Sequence, residues 1–187
     1  MTKKNYILFT ILFSFFVSSN LNANVQLKII ESFNNLETLK FNFEQMSYNK
    51  KERGFCFLKR PHFLKCIYTD DKQKELIINR KNLVIYHKKF NKVYYYPVSN
   101  SYFADVLDKK KFKNLINKGQ VIFKTGKFQI KYFDNSKGEI ILLFDENFDL
   151  EGWVVKDLSG NYTEFKINSI EENLNLDKKI FFIPVTN

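Results

Sequence analysis

The sequence predicts an α+β fold in which β predominates: one antiparallel sheet of about eleven short strands, curled around two helical segments. Three observations lead there. Apolar residues recur at helical spacing in residues 25–39, the period switches to two at Lys40, and one further helical stripe interrupts the strands after Ser101.

In the first segment Val25, Ile29, Ile30, Phe33 and Leu36 form one stripe, with Lys28, Glu31, Asn34 and Asn35 between them, which reads as an amphipathic helix. From Lys40 onward Phe41 and Phe43 alternate with Asn42 and Glu44. Strand-like runs follow at Gly54 to Lys59, Phe63 to Tyr68, Lys74 to Ile78, Leu83 to His87 and Lys92 to Pro97. The separating clusters, such as Asn79-Arg80-Lys81-Asn82 and Lys88 to Asn91, are too short for crossover helices, so the strands form an antiparallel meander. Ser99 or Ser101 can cap a helical run that starts at Tyr102, continues through Phe112, Leu115 and Ile116, and stops at Gly119. Strands then resume at Val121 to Phe123, Lys127 to Phe133, Glu139 to Phe144, Trp153 to Leu158 and Tyr162 to Ile170, and Lys179 to Pro184 closes the chain.

A chain of 187 residues, 44% apolar and 17% aromatic, can bury one substantial core. Residues 1–23 read as a secretory signal peptide: Lys3 and Lys4 precede an apolar run from Tyr6 to Val17, then the polar Ser18 to Asn22 and a small residue, Ala23. Cleavage after Ala23 leaves residues 24–187 as one domain. The nearest cysteine is Cys56, so no residue near the cut is available for acylation, and the mature chain is expected to be periplasmic and soluble. The two cysteines can oxidise in such a compartment.

The net charge of +10 falls to +8 without Lys3 and Lys4. Such a charge attracts nucleic acid or an anionic membrane. Only Arg53, Arg60 and Arg80 among the basic residues are arginine, Ala occurs at 23 and 104 alone, and Phe occurs 21 times. That usage is expected of an AT-rich genome, so the charge is read as compositional background and no nucleic-acid partner is expected.

Catalytic constellations are missing from the pattern. There is no G-x-S-x-G elbow, C-x-x-C, H-E-x-x-H or glycine-rich phosphate loop, and the two histidines, His62 and His87, sit beside turns. Neither an enzyme, a metal nor a cofactor is expected.

The most informative stretch is Arg53 to Tyr68. With Pro61 at the centre of a tight hairpin, residues whose numbers sum to 122 face one another, so Cys56 lies opposite Cys66 and Leu58 opposite Leu64. One face then carries Cys56, Leu58, Arg60, Leu64, Cys66 and Tyr68, the other Phe55, Phe57, Lys59, Phe63, Lys65 and Ile67. Arg60 is a lone cation among uncharged neighbours. Its burial needs acceptors, and the C-terminal carbonyls of a helix laid on that face are suitable, so Arg60 is expected to clamp a helix. A disulfide between Cys56 and Cys66 and a pair of buried thiols are both compatible with this geometry.

The run Phe43-Glu44-Gln45 followed by Gly54-x-x-x-Leu58-x-Arg60-Pro61 resembles the periplasmic outer-membrane lipoprotein carrier proteins of LolA type. Further positions fall in the family's order: Leu83 to Tyr86, Pro97 leading into Val106-Leu107, Leu150-x-Gly152-Trp153-x-Val155-x-Asp157-x-x-Gly160-Asn161-x-Thr163, then Asn173 and Phe181-x-x-Pro184. The resemblance implies an unclosed antiparallel β-barrel whose concave apolar face is covered by a helical lid and accepts acyl chains. It implies acylated lipoproteins as cargo, an inner-membrane ABC-type release complex as donor, and an outer-membrane lipoprotein receptor or the outer membrane itself as acceptor, for a carrier acting as a monomer. By the same resemblance Arg60 locks the lid and releases it when cargo enters. Cys66 departs from the family, where many relatives carry tryptophan. The cavity is expected to be lined by Cys56, Leu58, Leu64, Cys66, Tyr68, Val84, Tyr86, Phe103, Val106, Leu107, Trp153, Val155, Phe165 and Ile167. The same fold could instead sense or ferry other lipids or glycolipids, and a secreted basic barrel that stacks nucleic-acid bases on Tyr94 to Tyr96 is the remaining alternative.

Overall fold

The structure, a computed structural model, describes residues 22–185. Residues 22–34 form helix α1, which buries Ile29, Ile30 and Phe33. Of the signal peptide expected over residues 1–23, residues 1–21 lie outside the described residues, and Asn22 and Ala23 are exposed. The first strand starts two residues before the period switch, because Thr38 and Leu39 already pair with Lys59 and Leu58 in the ladder with the following strand.

Six strands follow in sequence: β1 (Thr38–Ser47), β2 (Lys50–Lys59), β3 (Phe63–Tyr68), β4 (Lys74–Asn79), β5 (Asn82–His87) and β6 (Lys92–Pro97). Two helices, α2 (Phe103–Leu107) and α3 (Lys109–Lys118), interrupt them. Then come β7 (Gln120–Lys124), β8 (Lys127–Asp134), β9 (Gly138–Phe144), β10 (Leu150–Lys156) and β11 (Tyr162–Glu172). All eleven belong to one antiparallel sheet of order β6-β5-β4-β3-β2-β1-β11-β10-β9-β8-β7. The sheet is an unclosed barrel: β6 and β7 remain as its two edges, and the helices joining them in sequence cover the concave face.

The sequence foresees one second helix where there are two. Asp108 separates them, because its carboxylate accepts a hydrogen bond from the Lys111 amide and caps α3. Neither Ser99 nor Ser101 caps α2; the Ser101 hydroxyl donates to the Val98 carbonyl instead. The closing segment holds a 3-10 turn, Lys178–Phe181, rather than a strand.

Alternation decides what is buried. In β9 every second residue is buried, from Gly138 to Phe144, and in β3 the buried residues are Leu64, Cys66 and Tyr68. Across β2 and β3 the register pairs Gly54 with Tyr68, Cys56 with Cys66 and Leu58 with Leu64. These inward residues meet Phe41, Phe43 and Phe165 from the centre of the sheet, while α1, α2 and α3 pack on Ile130, Ile140, Leu142 and Phe144 of the other wing.

Antiparallel order also sends successive connections to opposite ends of the sheet. The β1–β2, β3–β4, β5–β6, β8–β9 and β10–β11 turns share one end; the β2–β3 turn at Pro61 and the β4–β5 turn at Arg80 lie at the other.

Gly54 explains part of the sequence motif. It pairs with Phe43 in the ladder, and a Cβ there would stand 2.1 Å from the Ile67 carbonyl oxygen and 2.9 Å from the Phe43 ring. Because the carbonyl is backbone, Gly54→Ala must displace β3 or β2, and we expect a loss of about 1–3 kcal/mol in urea unfolding.

A candidate ligand cavity under a pinned lid

The lid is fastened to the sheet by few polar contacts. Arg60 ends the inward row Cys56, Leu58 and, despite its charge, is 5% exposed. Its Nη1 donates to the Phe33 carbonyl at 2.7 Å, and its guanidinium lies 3.6 Å from the centre of the Phe33 ring. Phe33 sits in the last turn of α1, where free carbonyls carry the negative end of the helix dipole, so a buried cation is favoured there. The Phe33 ring in turn lies 3.8 Å from that of Phe112 in α3, so the same residue couples α1 to α3.

This pin is incomplete. Nε and Nη2 of Arg60 are buried and have no hydrogen-bond partner among the described residues. Burial pushes the guanidinium down to about 10, with Glu37 and Asp108 opposing the shift, so the group remains charged at neutral pH in a place that solvates it poorly.

Other fastenings are nearer the surface. Gln26 Nε2 donates to the Ile116 carbonyl at 2.8 Å, joining α1 to α3. Lys109 Nζ donates to the Asn34 carbonyl at 2.9 Å and pairs with Glu37, whose carboxyl it holds below its ordinary value. On the far wing Lys137 pairs with Asp105 of α2, and the Tyr102 hydroxyl donates to the Gly138 carbonyl at 2.6 Å.

Between α2 and the sheet lies a cavity of about 360 Å³. Its walls include Tyr68, Ile85, Phe103, Val106, Trp153 and Phe165. Trp153 stacks on Phe165 with centroids 4.2 Å apart, and Phe165 stacks on Phe43 at 4.6 Å, so a continuous aromatic floor crosses the middle of the sheet. Polar groups gather at one end of the cavity, among them Gln45, Lys74, Asp157 and Thr163. These residues sit at or next to strand ends near the β1–β2, β3–β4 and β10–β11 turns, which places the mouth at that end. There the Tyr68 hydroxyl donates to Gln45 Oε1 at 2.8 Å, and burial pushes it up, so it stays a neutral donor. A second, larger cleft of about 730 Å³ lies at the opposite end, beside Pro61, Arg80 and Leu107.

The residues expected from sequence divide as follows. Tyr68, Phe103, Val106, Trp153, Val155 and Phe165 line the cavity. Cys56, Leu58, Leu64, Cys66 and Leu107 form the adjoining core, with Ile167 packed against it. Cys56 and Cys66 are disulfide-bonded, with Cα atoms 4.0 Å apart. Val84 and Tyr86 are on the wrong face. Val84 pairs with Ile77, and Ile77 with Lys65, on the outer side of the sheet; the 3-10 turn Lys178–Phe181 packs on the neighbouring β3 and β4. Leu83 and Ile85 are the inward residues of β5. Following parity from Cys66 through its partner Leu76 to Ile85 identifies them. Tyr102 and Lys137 were not foreseen, since their role depends on how the lid crosses the sheet.

Among the described residues no group of three or more His, Cys, Asp or Glu side chains could hold a metal ion. Comparison with known proteins agrees with the geometry. The family model for the outer membrane lipoprotein carrier protein LolA matches residues 34–184. The chain belongs to the LolA family. A curated outer-membrane lipoprotein carrier protein from Francisella philomiragia is 25% identical over 191 residues, covering 96% of this chain and 92% of its own. Among solved structures, an uncharacterized conserved protein from Thermus thermophilus has a TM-score of 0.54 at 9% identity, over 87% of this chain and 94% of that one. A protein from Desulfovibrio piger, of a domain family without assigned function, has a TM-score of 0.51 at 7% identity, over 87% and 96%. Likeness at such identity speaks for the fold alone. It is a family of carriers, not of enzymes.

The disulfide closes the Pro61 hairpin beneath the aromatic floor. Replacing Cys56 and Cys66 together by alanine is expected to lower stability by about 3 kcal/mol, read from urea unfolding, since it removes a cross-link spanning ten residues of chain.

Proposed function

We propose that the protein is a periplasmic chaperone that takes up the acyl chains of lipoproteins released from the inner membrane and carries them to the outer membrane. The observation that carries this reading is the aromatic cavity beneath a lid pinned by a half-satisfied Arg60. Its volume lies toward the lower part of the range that holds a drug-sized ligand, about 300–1,000 Å³. An anchor with several long acyl chains needs more. The lid must therefore move, and the apolar core beneath α1 and α3, which includes Phe33 and Phe112, becomes binding surface when it does.

The energetics suit transfer. Burying acyl chains yields about 0.8 kcal/mol per CH₂, enough to make an unopposed complex nearly irreversible. Opening the lid costs apolar contacts and the Arg60–Phe33 bond, which offsets part of that gain. The carrier can then load from an ABC-type release complex and still give up cargo to an outer-membrane receptor or to the outer membrane. On this reading residues 1–23 direct export and residues 24–187 are the working domain, acting as a monomer.

Arg60→Leu tests the clamp. It removes a charge-assisted bond that competes with cargo, so a fluorescent triacylated lipopeptide should bind about tenfold more tightly and leave more slowly. Protein recovered from the cell envelope should carry acylated lipoprotein, and the Arg60→Leu variant should retain more of it. A wild-type protein that binds neither the peptide nor any acylated protein refutes the carrier reading.

A further inference from the structure

The end of the sheet at which the cavity opens has an unusual surface. Hairpin tips ordinarily carry Gly, Asn, Asp or Ser. Here three of the five turns at that end present a large apolar side chain: Tyr48 is 75% exposed, Phe90 54% and Leu158 62%. Tyr48 even occupies the left-handed region, at φ 48°, where an aromatic residue is disfavoured and Asn or Gly is at ease. None of the three lines the cavity or joins the core.

The charges around these tips are asymmetric. Lys88 and Lys89 immediately precede Phe90, Lys92 follows it, and Lys72 lies alongside, its carbonyl accepting from the Lys89 amide at 3.4 Å. None of these four lysines pairs with a carboxylate among the described residues, whereas Lys50, Lys51 and Lys74 at the same end are engaged by Glu52 and Glu44. The acids of this end are turned inward: Asp70, Asp134 and Asp157 accept hydrogen bonds from the backbone of their own turns. Asp71 is the remaining exposed acid in these turns.

We propose that this end of the sheet docks on an anionic phospholipid bilayer. Tyr48, Phe90 and Leu158 enter the boundary between headgroups and acyl chains, and Lys72, Lys88, Lys89 and Lys92 meet the phosphates. Separate apolar points set among unpaired lysines suit an interfacial layer, where aromatic and aliphatic tips gain from partial burial and each nearby lysine is attracted by the negative surface potential. They do not suit a protein partner, since the centre of a protein interface is depleted in lysine and contiguous in its apolar area. Docking would bring the mouth, between Gln45, Lys74 and Thr163, against the membrane, so acyl chains could pass with little exposure to water. That consequence rests on the carrier reading; the docking does not.

The test is flotation with vesicles of phosphatidylethanolamine containing a minority of phosphatidylglycerol, compared with neutral phosphatidylcholine vesicles. The protein recovered from the cell envelope is measured beside a Tyr48→Ser/Phe90→Ser/Leu158→Ser variant and a Lys88→Glu/Lys89→Glu variant, all sharing the same N-terminal segment so that its contribution cancels. The unmodified protein should partition to the anionic vesicles and be displaced by salt, and each variant should lose about tenfold or more in partitioning. The altered side chains are exposed, so both variants should fold and should bind triacylated lipopeptide in detergent-free solution as the unmodified protein does. Partitioning that is absent, or unchanged in both variants, overturns the proposal. Loss of lipopeptide binding by the unmodified protein would overturn the carrier reading instead.

Discussion

A sheet of eleven strands that does not close must cover its inner face with something, and here the cover is the protein's own helices. Everything else in the structure follows from that constraint. The inward rows of the central strands are apolar where helices pack on them, and the helices are amphipathic because their other face meets water. One buried cation ties cover to sheet: Arg60 reaches the Phe33 carbonyl at the end of α1 and stacks on the Phe33 ring, which leans on Phe112 of α3. Two of its donor nitrogens have no partner among the described residues, so the tie is incompletely satisfied.

On the proposed carrier reading, that incomplete tie lets cargo compete with the lid. An apolar concave face with no cover would aggregate or hold acyl chains indefinitely, and one covered by a fully satisfied polar network would not open. The aromatic floor of Phe43, Phe165 and Trp153 is stacked, cross-linked nearby through Cys56 and Cys66, and bounded by Gly54, where no side chain fits. The helices, by contrast, rest on the sheet through side-chain contacts rather than ladder hydrogen bonds.

Much of this was legible in the sequence because its periods are simple. The alternation around Pro61 sets the β2–β3 register and gathers Cys56, Leu58, Arg60, Leu64, Cys66 and Tyr68 on one face. A lone arginine in such a row implies a helix carbonyl to receive it, and the Phe33 carbonyl is where α1 supplies one. Legibility failed where a residue's burial came from a distant segment. Val84 is apolar and buried, yet it faces outward beside strands that the closing turn covers, and local pattern alone could not reveal that second cover. The break at Asp108 was likewise hidden, since the apolar stripe runs through it and only the side chain's bond to the Lys111 amide marks a new helix. Tyr102 and Lys137 meet across the sheet from positions far apart in the chain, a proximity that belongs to the tertiary fold.

The central claim is that cargo replaces the lid on the concave face. Backbone hydrogen exchange with and without a triacylated lipopeptide tests it most directly. Cargo should accelerate exchange in α1, α2 and α3 while β1, β2, β10 and β11 keep their protection. Uniformly slower exchange across the helices and the sheet together would contradict the account, because it would mean that acyl chains bind with the lid in place.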